Sequence, residues 1–313
     1  MALHVVTGGA GFIGSHLVER LIAEGVRVRV VDDLSTGKAR NLAAVAGQIE
    51  LITGSVTDRG LLRRVLQGAE VVYHLAAIPS VQRSVEDPET THLVCATGTL
   101  LVLQAARQAG VRRVVYAASS SAYGGTPGAV RRESDPLDPL SPYAAAKLAG
   151  EHYCCAFSTV YGLETVRLRF FNIFGPRQDA SSPYSGVIAL FMHAMLQGKS
   201  PTVHGDGLQS RDFTYVDNAV EACWCASRAS GVSGRVYNIG SGARTSILQL
   251  VAALNELLGT RLGPVHGPPR PGDVRHSQAD ISRACTELGY KPRIDFHEGL
   301  RRTLEWYRAE LAR

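Results

Sequence analysis

Up to about residue 170 the chain alternates short apolar, β-branched runs with longer stretches of helical periodicity. LHVVTG, VRVRVVDD, AEVVYHLAA, RRVVYAAS and ETVRLRFF read as strands, and Ser15–Ala23 and Thr97–Ala109 between them read as helices. The strand-like runs are apolar almost throughout instead of alternating with polar residues, the pattern of strands covered on both faces. Strands separated by helices require a parallel sheet with helices on both sides, so the predicted fold class is α/β, doubly wound.

After Asn172 the texture changes to a Pro/Ser/Gly stretch (FGPRQDASSPYSG), a helix-like IALFMHAMLQG, a turn-rich HGDGLQSRDF and a later PPRPGDVRHSQAD. These pieces suggest a smaller lobe at the carboxyl edge of the sheet. Tyr215–Arg228 and the strand-like RVYNIG return to the main domain, so the smaller lobe is discontinuous in sequence. The expected division is residues 1–171 plus about 212–240 for the sheet domain, and about 172–211 plus 241–313 for the lobe.

Composition narrows the class further. At 313 residues, with 45% apolar and 19% charged positions, the chain is ordinary for a globular protein, which excludes disordered and fibrous classes. The net charge of +5 is spread over scattered pairs (Arg63–Arg64, Arg112–Arg113, Arg131–Arg132, Arg301–Arg302), a distribution that suits a small anionic substrate at least as well as nucleic acid. Nucleic acid and membrane are not expected as partners. The segment MALHVVTGGAGFIG has no basic start or cleavage site, and no apolar run approaches the roughly 18–20 residues that span a bilayer, so a cytoplasmic location is expected. Cys95, Cys154, Cys155, Cys223, Cys225 and Cys285 show no C-x-x-C spacing and no His at ligand distance; buried free thiols are expected, and no metal site.

Candidate chemistry begins with Gly8, Gly11 and Gly14, a G-x-x-G-x-x-G directly after the first strand and at the start of the first helix. A dinucleotide's phosphates need close backbone approach and free helix N–H groups at that place. Three glycines could also serve tight packing alone. Asp32, at the end of the next strand, strengthens the dinucleotide reading, because a carboxylate there accepts hydrogen bonds from the adenosine ribose hydroxyls. With no Arg beside it, NAD is favoured over NADP. Further on, Tyr143 and Lys147 stand four apart in SPYAAAKLAGEHY, which puts both side chains on one helix face. An ammonium beside a phenol favours the phenolate and makes a proton shuttle for a hydroxyl. A solvated helix turn is the alternative, but the pair follows both the glycine motif and the strand-end cluster Ser119-Ser120-Ser121.

In order along the chain, G-x-x-G-x-x-G, the Ser cluster with Tyr123-Gly124, S-P-Y-A-A-A-K, RFFNIFGP, RDFTYVD and RPGDV resemble the extended short-chain dehydrogenase/reductase family of nucleotide-sugar enzymes. The likeness covers essentially the whole chain and is closest to the UDP-hexose 4-epimerases, including the branch that handles N-acetylated sugars. It implies a Rossmann domain whose NAD site comprises Gly8, Gly11, Phe12, Ile13, Gly14, Asp32, Val56, Leu75, Ala76 and Ala77, together with Tyr143 and Lys147. By the same resemblance Ser119 hydrogen-bonds the reacting hydroxyl, Tyr143 is the catalytic base, and Lys147 also holds the nicotinamide ribose. The implied contacts to the nucleotide sugar, a UDP-hexose, are Ser80, Arg83, Ser121, Asn172, Arg211, Arg270, Asp273 and Ser277. Guanidinium forks suit phosphate oxygens, which agrees with Arg211 and Arg270 gripping the diphosphate. Ser277 falls at the position that gates the sugar's carbon-2 substituent, and a homodimer through Thr91–Ala109 and Tyr143–Val160 is expected.

Departures from the family pattern carry information too. Dehydratases and decarboxylases of this resemblance have a Thr followed by an acid in the next two positions, where this chain has Ser120 and Ser121; re-reduction of a bound keto sugar, which is epimerisation, is then the expected outcome. Glucuronate epimerases carry an Arg where G-P-R-Q-D places Asp179, which is expected to repel a substrate carboxylate. Ser55 stands where an adenine-binding Asp is usual, and Cys95 where an Asn commonly braces the active site. A dehydratase or reductase on another nucleotide sugar, and a non-catalytic NAD-binding scaffold, are the competing readings.

Overall fold

The structure is a computed structural model that describes residues 2–180, 185–269 and 274–311. Its first five strands are β1 (Leu3–Thr7), β2 (Arg27–Asp32), β3 (Ile49–Thr53), β4 (Ala69–His74) and β5 (Arg113–Ser119). With Glu164–Phe170 and Arg235–Ile239 they form one seven-stranded sheet, in the order Arg235–Ile239, Glu164–Phe170, β5, β4, β1, β2, β3. Every neighbouring pair is parallel. The chain moves outward from β1 in both directions, so a crevice opens at the carboxyl ends of β1 and β4, the topological switch point where such sheets bind ligands.

Adjacent residues explain why these runs lack polar alternation. Val6, Val30, Val71 and Val115 enter the core beneath α1 (Phe12–Ala23) and the helix Val216–Arg228. Their neighbours Val5, Val31, Val72 and Val114 pack on the other side against Arg59–Val65, Gly98–Gln108 and Pro142–Tyr161. Both faces are dry, so both sets must be apolar. One strand was not foreseen: β3, IELIT, lies at the sheet edge with its residues exposed or half-exposed, and so lacks an apolar signature.

The helix Pro142–Tyr161 has sharp ends. Ser141 Oγ accepts from Ala144 N at 3.2 Å, Pro142 opens the first turn, and Gly162 closes it in the left-handed conformation at φ 68°. Inside, Glu151 receives Arg169 of the neighbouring strand through Nε and Nη2, the latter at 2.8 Å, with both side chains almost fully buried.

Beyond the sheet, Asn172–Phe174 pairs in parallel with Phe213–Tyr215. A small sheet in the order Thr245–Ser246, Ser210–Arg211, His276–Ala279, Val130–Arg131 draws its last strand from the loop after β5. All six cysteines are free, but only Cys95, Cys154 and Cys223 are buried; Cys225 and Cys285 are half-buried and Cys155 is exposed. The expectation of uniformly buried thiols is corrected here because consecutive helical residues diverge in direction: Cys154 faces the core and Cys155 turns away. Among the described residues no helix is long and apolar enough to cross a membrane.

Removing one partner of a buried ion pair strands the other charge. Glu151→Ala is therefore expected to destabilise the fold by about 3–5 kcal/mol, measured by urea denaturation; a loss below about 1 kcal/mol would show that Arg169 finds water or another partner.

Candidate active site

Gly8 follows β1 in the left-handed conformation at φ 72°, and a Cβ there would lie 2.7 Å from the backbone N of Ala76. At Gly14 a Cβ would overlap the carbonyl oxygen of Gly8. The turn is thus closed by backbone packed on backbone, which only glycine permits. Gly11 caps α1 without a side-chain acceptor, and the first turn holds no acid. The unsatisfied N–H groups and the positive end of the helix dipole therefore favour a phosphate at this end of the crevice. These residues fit the diphosphate of a dinucleotide.

Asp32 ends β2 and accepts from Ala10 N and Leu34 N, both at 2.9 Å. Burial raises its carboxyl pKa, and the backbone N–H donors oppose that shift. Gly37 is needed beside it, since a Cβ there would approach the carboxylate to 2.8 Å. Leu75, Ala76 and Ala77 follow β4 across from the glycine turn, with Leu75 N donating to Thr7 O at 3.1 Å. Phe12 and Ile13 open α1, and Val56 is buried where Gly98 leaves room for it. Ser55 makes a local turn, its hydroxyl 2.9 Å from that of Thr57.

Of the three candidate catalytic residues, Ser119 and Tyr143 adjoin at the carboxyl end of β5, and Lys147 lies against Tyr116 in the middle of that strand. Ser119 is its last residue and accepts from Ser121 N at 3.2 Å and from the Ser121 hydroxyl at 2.8 Å. Tyr143 and Lys147 occupy the first two turns of the helix Pro142–Tyr161. Burial drives the Tyr143 phenol well above its ordinary range, and the side chain that opposes the shift is Ser119. The Lys147 ammonium lies over the ring of Tyr116, 4.8 Å from the centroid. Cys95 sits in a π turn, Leu93–Thr97, between the helices Pro88–His92 and Gly98–Gln108, packed against Tyr143. Sequence reasoning ran one helix through this turn; its local π geometry leaves no periodic signal.

A cavity of about 350 Å³ is lined by Ser80, Asn172 and Arg211 together with Val187, Phe191 and His204; Ser119, Tyr143 and Lys147 are not among its lining residues. Arg211 ends the strand Ser210–Arg211, and its Nη1 donates to the Ser210 carbonyl at 2.9 Å. Ser277 is its register partner on His276–Ala279. Ser80 Oγ accepts from Arg83 N at 3.0 Å and caps the helix Val81–Glu86, so its hydroxyl is partly committed. Arg83 is half-buried and does not line the cavity. Arg270 and Asp273 lie outside the described residues. Asp179 is paired with Lys38 at 2.8 Å. Among the described residues no cluster of His, Cys, Asp and Glu could hold a metal.

The sequence matches the NAD dependent epimerase/dehydratase family over residues 4–240. It is 41% identical over 308 residues to a UDP-glucose 4-epimerase of Mycolicibacterium smegmatis, covering 97% of this chain and 98% of that one. Among solved structures, a UDP-glucose 4-epimerase of Thermotoga maritima, crystallised with UDP-glucose, superposes with a TM-score of 0.94 at 38% identity, covering 99% of both chains. A UDP-N-acetylglucosamine 4-epimerase of Methanobrevibacter ruminantium, in complex with UDP-N-acetylmuramic acid, gives the same TM-score of 0.94 at 38% identity and the same 99% coverage of both chains. The chain belongs to the NAD dependent epimerase/dehydratase family, and its cofactor is NAD.

Asp32 predicts the form of that cofactor, because a 2′-phosphate would lie against a carboxylate. Purified protein, denatured and examined by mass spectrometry, is expected to release NAD; NADP as the retained species would contradict the assignment of Asp32.

Proposed function

We propose that this enzyme inverts carbon 4 of a UDP-hexose, interconverting UDP-glucose and UDP-galactose and also their N-acetylated counterparts. The observation that carries the reading is the residue set at the end of β5: Ser119 is followed by Ser120 and Ser121, and the Ser119 side chain acts on the Tyr143 phenol. Elimination of a hydroxyl needs a positioned acid and base next to the reacting carbons, and these two serines offer no carboxylate. The family contains dehydratases, and this absence separates the proposal from them.

In this reading Ser119 holds the carbon-4 hydroxyl, and Tyr143 removes its proton and later returns it. Bound at the glycine turn and Asp32, with Lys147 at its nicotinamide ribose, NAD supplies a hydride acceptor that gives the hydride back. Arg211 grips the diphosphate by charge-assisted hydrogen bonds, and the adjoining cavity leaves the sugar room to present either face. Arg270 and Asp273 are proposed to complete the nucleotide grip. Residues 1–171 with about 212–240 would then carry the cofactor, and about 172–211 with 241–313 the nucleotide sugar. Exposed Leu93 and Val160, on the two segments expected at a twofold interface, support a homodimer.

Tyr143→Phe is expected to keep cofactor bound and lower turnover by about two to four orders of magnitude, and near-wild-type turnover would end the reading. Sugar choice is tested at Ser277, the register partner of Arg211, whose small side chain is proposed to admit an acetamido group. Ser277→Tyr is expected to reduce kcat/KM for the N-acetylated pair by roughly tenfold to hundredfold through overpacking, and to spare the plain pair. Equal losses on both pairs would mean that Ser277 supports the fold or the nucleotide.

A further inference from the structure

Among the described residues the carboxylate that acts on the Lys147 ammonium is Glu151, and its two oxygens are already held by Arg169. Lys147 is 2% exposed, and burial lowers its ammonium pKa. The ionisable groups around it are Tyr143, Glu151 and Cys154 on its own helix, Cys95 on the π turn, His74 on β4 and Tyr116 on β5. Burial pushes the Cys154 thiol up to about 12 and keeps Tyr116 protonated. His74, fully buried, is pushed down to about 3 by desolvation and by the Lys147 charge itself. The imidazole is held neutral between two hydroxyls, with Nδ1 2.7 Å from Thr7 Oγ1 and Nε2 3.0 Å from Thr99 Oγ1. The Thr99 proton goes to Cys95 O at 2.6 Å, so Thr99 accepts from Nε2 and Thr7 donates to Nδ1.

What remains to meet the ammonium is the face of Tyr116. Its ring lies 4.8 Å from Lys147 Nζ, within the range where an aromatic quadrupole attracts a cation. Three contacts fix the ring at that height. Its hydroxyl donates to the carbonyl of Lys147 at 3.1 Å, and its other neighbour is His74, at 5.7 Å between centroids and 30° between planes. Gly150 makes room for the phenol, since a Cβ there would overlap the hydroxyl. A glycine inside a helix costs about 0.5–1 kcal/mol relative to alanine, and this contact gives it a reason.

We propose that Tyr116 is a positioning residue for the reaction: the face of its ring supports the Lys147 ammonium, whose nearby carboxylate Glu151 is committed to Arg169, and Gly150 admits the ring. The proposal rests on the reading of Tyr143 and Lys147 as the working pair. Because the chain has four lysines (Lys38, Lys147, Lys199 and Lys291), holoenzyme labelled at lysine with carbon-13 allows Lys147 to be titrated by NMR, with Lys147→Arg assigning the resonance. In Tyr116→Leu the Lys147 midpoint is expected to fall by about half a unit to one unit, and in Tyr116→Phe, which keeps the face, to stay within about 0.3 unit. The alkaline limb of the kcat profile follows the same pattern, while KM holds. Gly150→Ala, which displaces the ring from the helix side, is expected to shift Lys147 in the same direction and carries the test if Tyr116→Leu does not fold. An unchanged Lys147 midpoint in the folded variant, or an equal shift in Tyr116→Phe, overturns the proposal. The titration needs no turnover, so the two readings fail separately: the expected shift in a protein without epimerase activity ends the proposed reaction and keeps only the ring's hold on the ammonium, whereas activity with an unchanged midpoint ends the role of Tyr116.

Discussion

The buried pair between Glu151 and Arg169 ties together the three parts on which the site depends. Glu151 belongs to the helix that carries Tyr143 and Lys147, and Arg169 to the strand beside β5. From Arg169 the chain of contacts continues: Nη1 donates to the Tyr123 hydroxyl at 2.9 Å, which donates to Asn238 Oδ1 at 2.7 Å. Asn238 Nδ2 then donates to the carbonyl of Arg131, at the strand that joins the small sheet. Helix, main sheet and small sheet are thereby held in one register by groups shielded from water, where a hydrogen bond is strong and an unpaired partner costly.

Electrostatics divides the crevice into two ends with different tasks. At the glycine turn an uncapped helix terminus and closely packed backbone attract phosphate without any side-chain charge. At the Tyr143 end, desolvation raises the phenol and lowers the ammonium, which makes both groups easier to bring to their neutral forms. Beside these burial effects, Ser119 opposes the shift of the phenol and Cys95, Cys154 and Glu151 oppose that of the ammonium.

The sequence discloses those parts of the molecule whose physics is local or periodic. β1, β2, β4 and β5 show as unbroken apolar runs because both of their faces are covered, whereas β3, at the edge and half wet, shows no such run. Gly8, Gly14, Asp32, Ser119, Tyr143 and Lys147 stand out as candidates because their spacing along strand ends and helix turns is a local pattern. His74, Tyr116 and Gly150 do not, since their partners come from other elements and the positions read as strand or helix interior. The ion pair of Asp179 with Lys38 was likewise invisible: 141 residues separate the two, and only the folded crevice brings them together.

The central claim is that a hydride leaves carbon 4 and comes back to carbon 4. UDP-glucose carrying deuterium at that carbon, incubated with the purified enzyme and analysed by NMR, tests it most directly. The account predicts UDP-galactose with the deuterium still on carbon 4. Deuterium on carbon 6 of a 4-keto product would contradict it, because that migration requires the elimination chemistry for which Ser120 and Ser121 supply no acid.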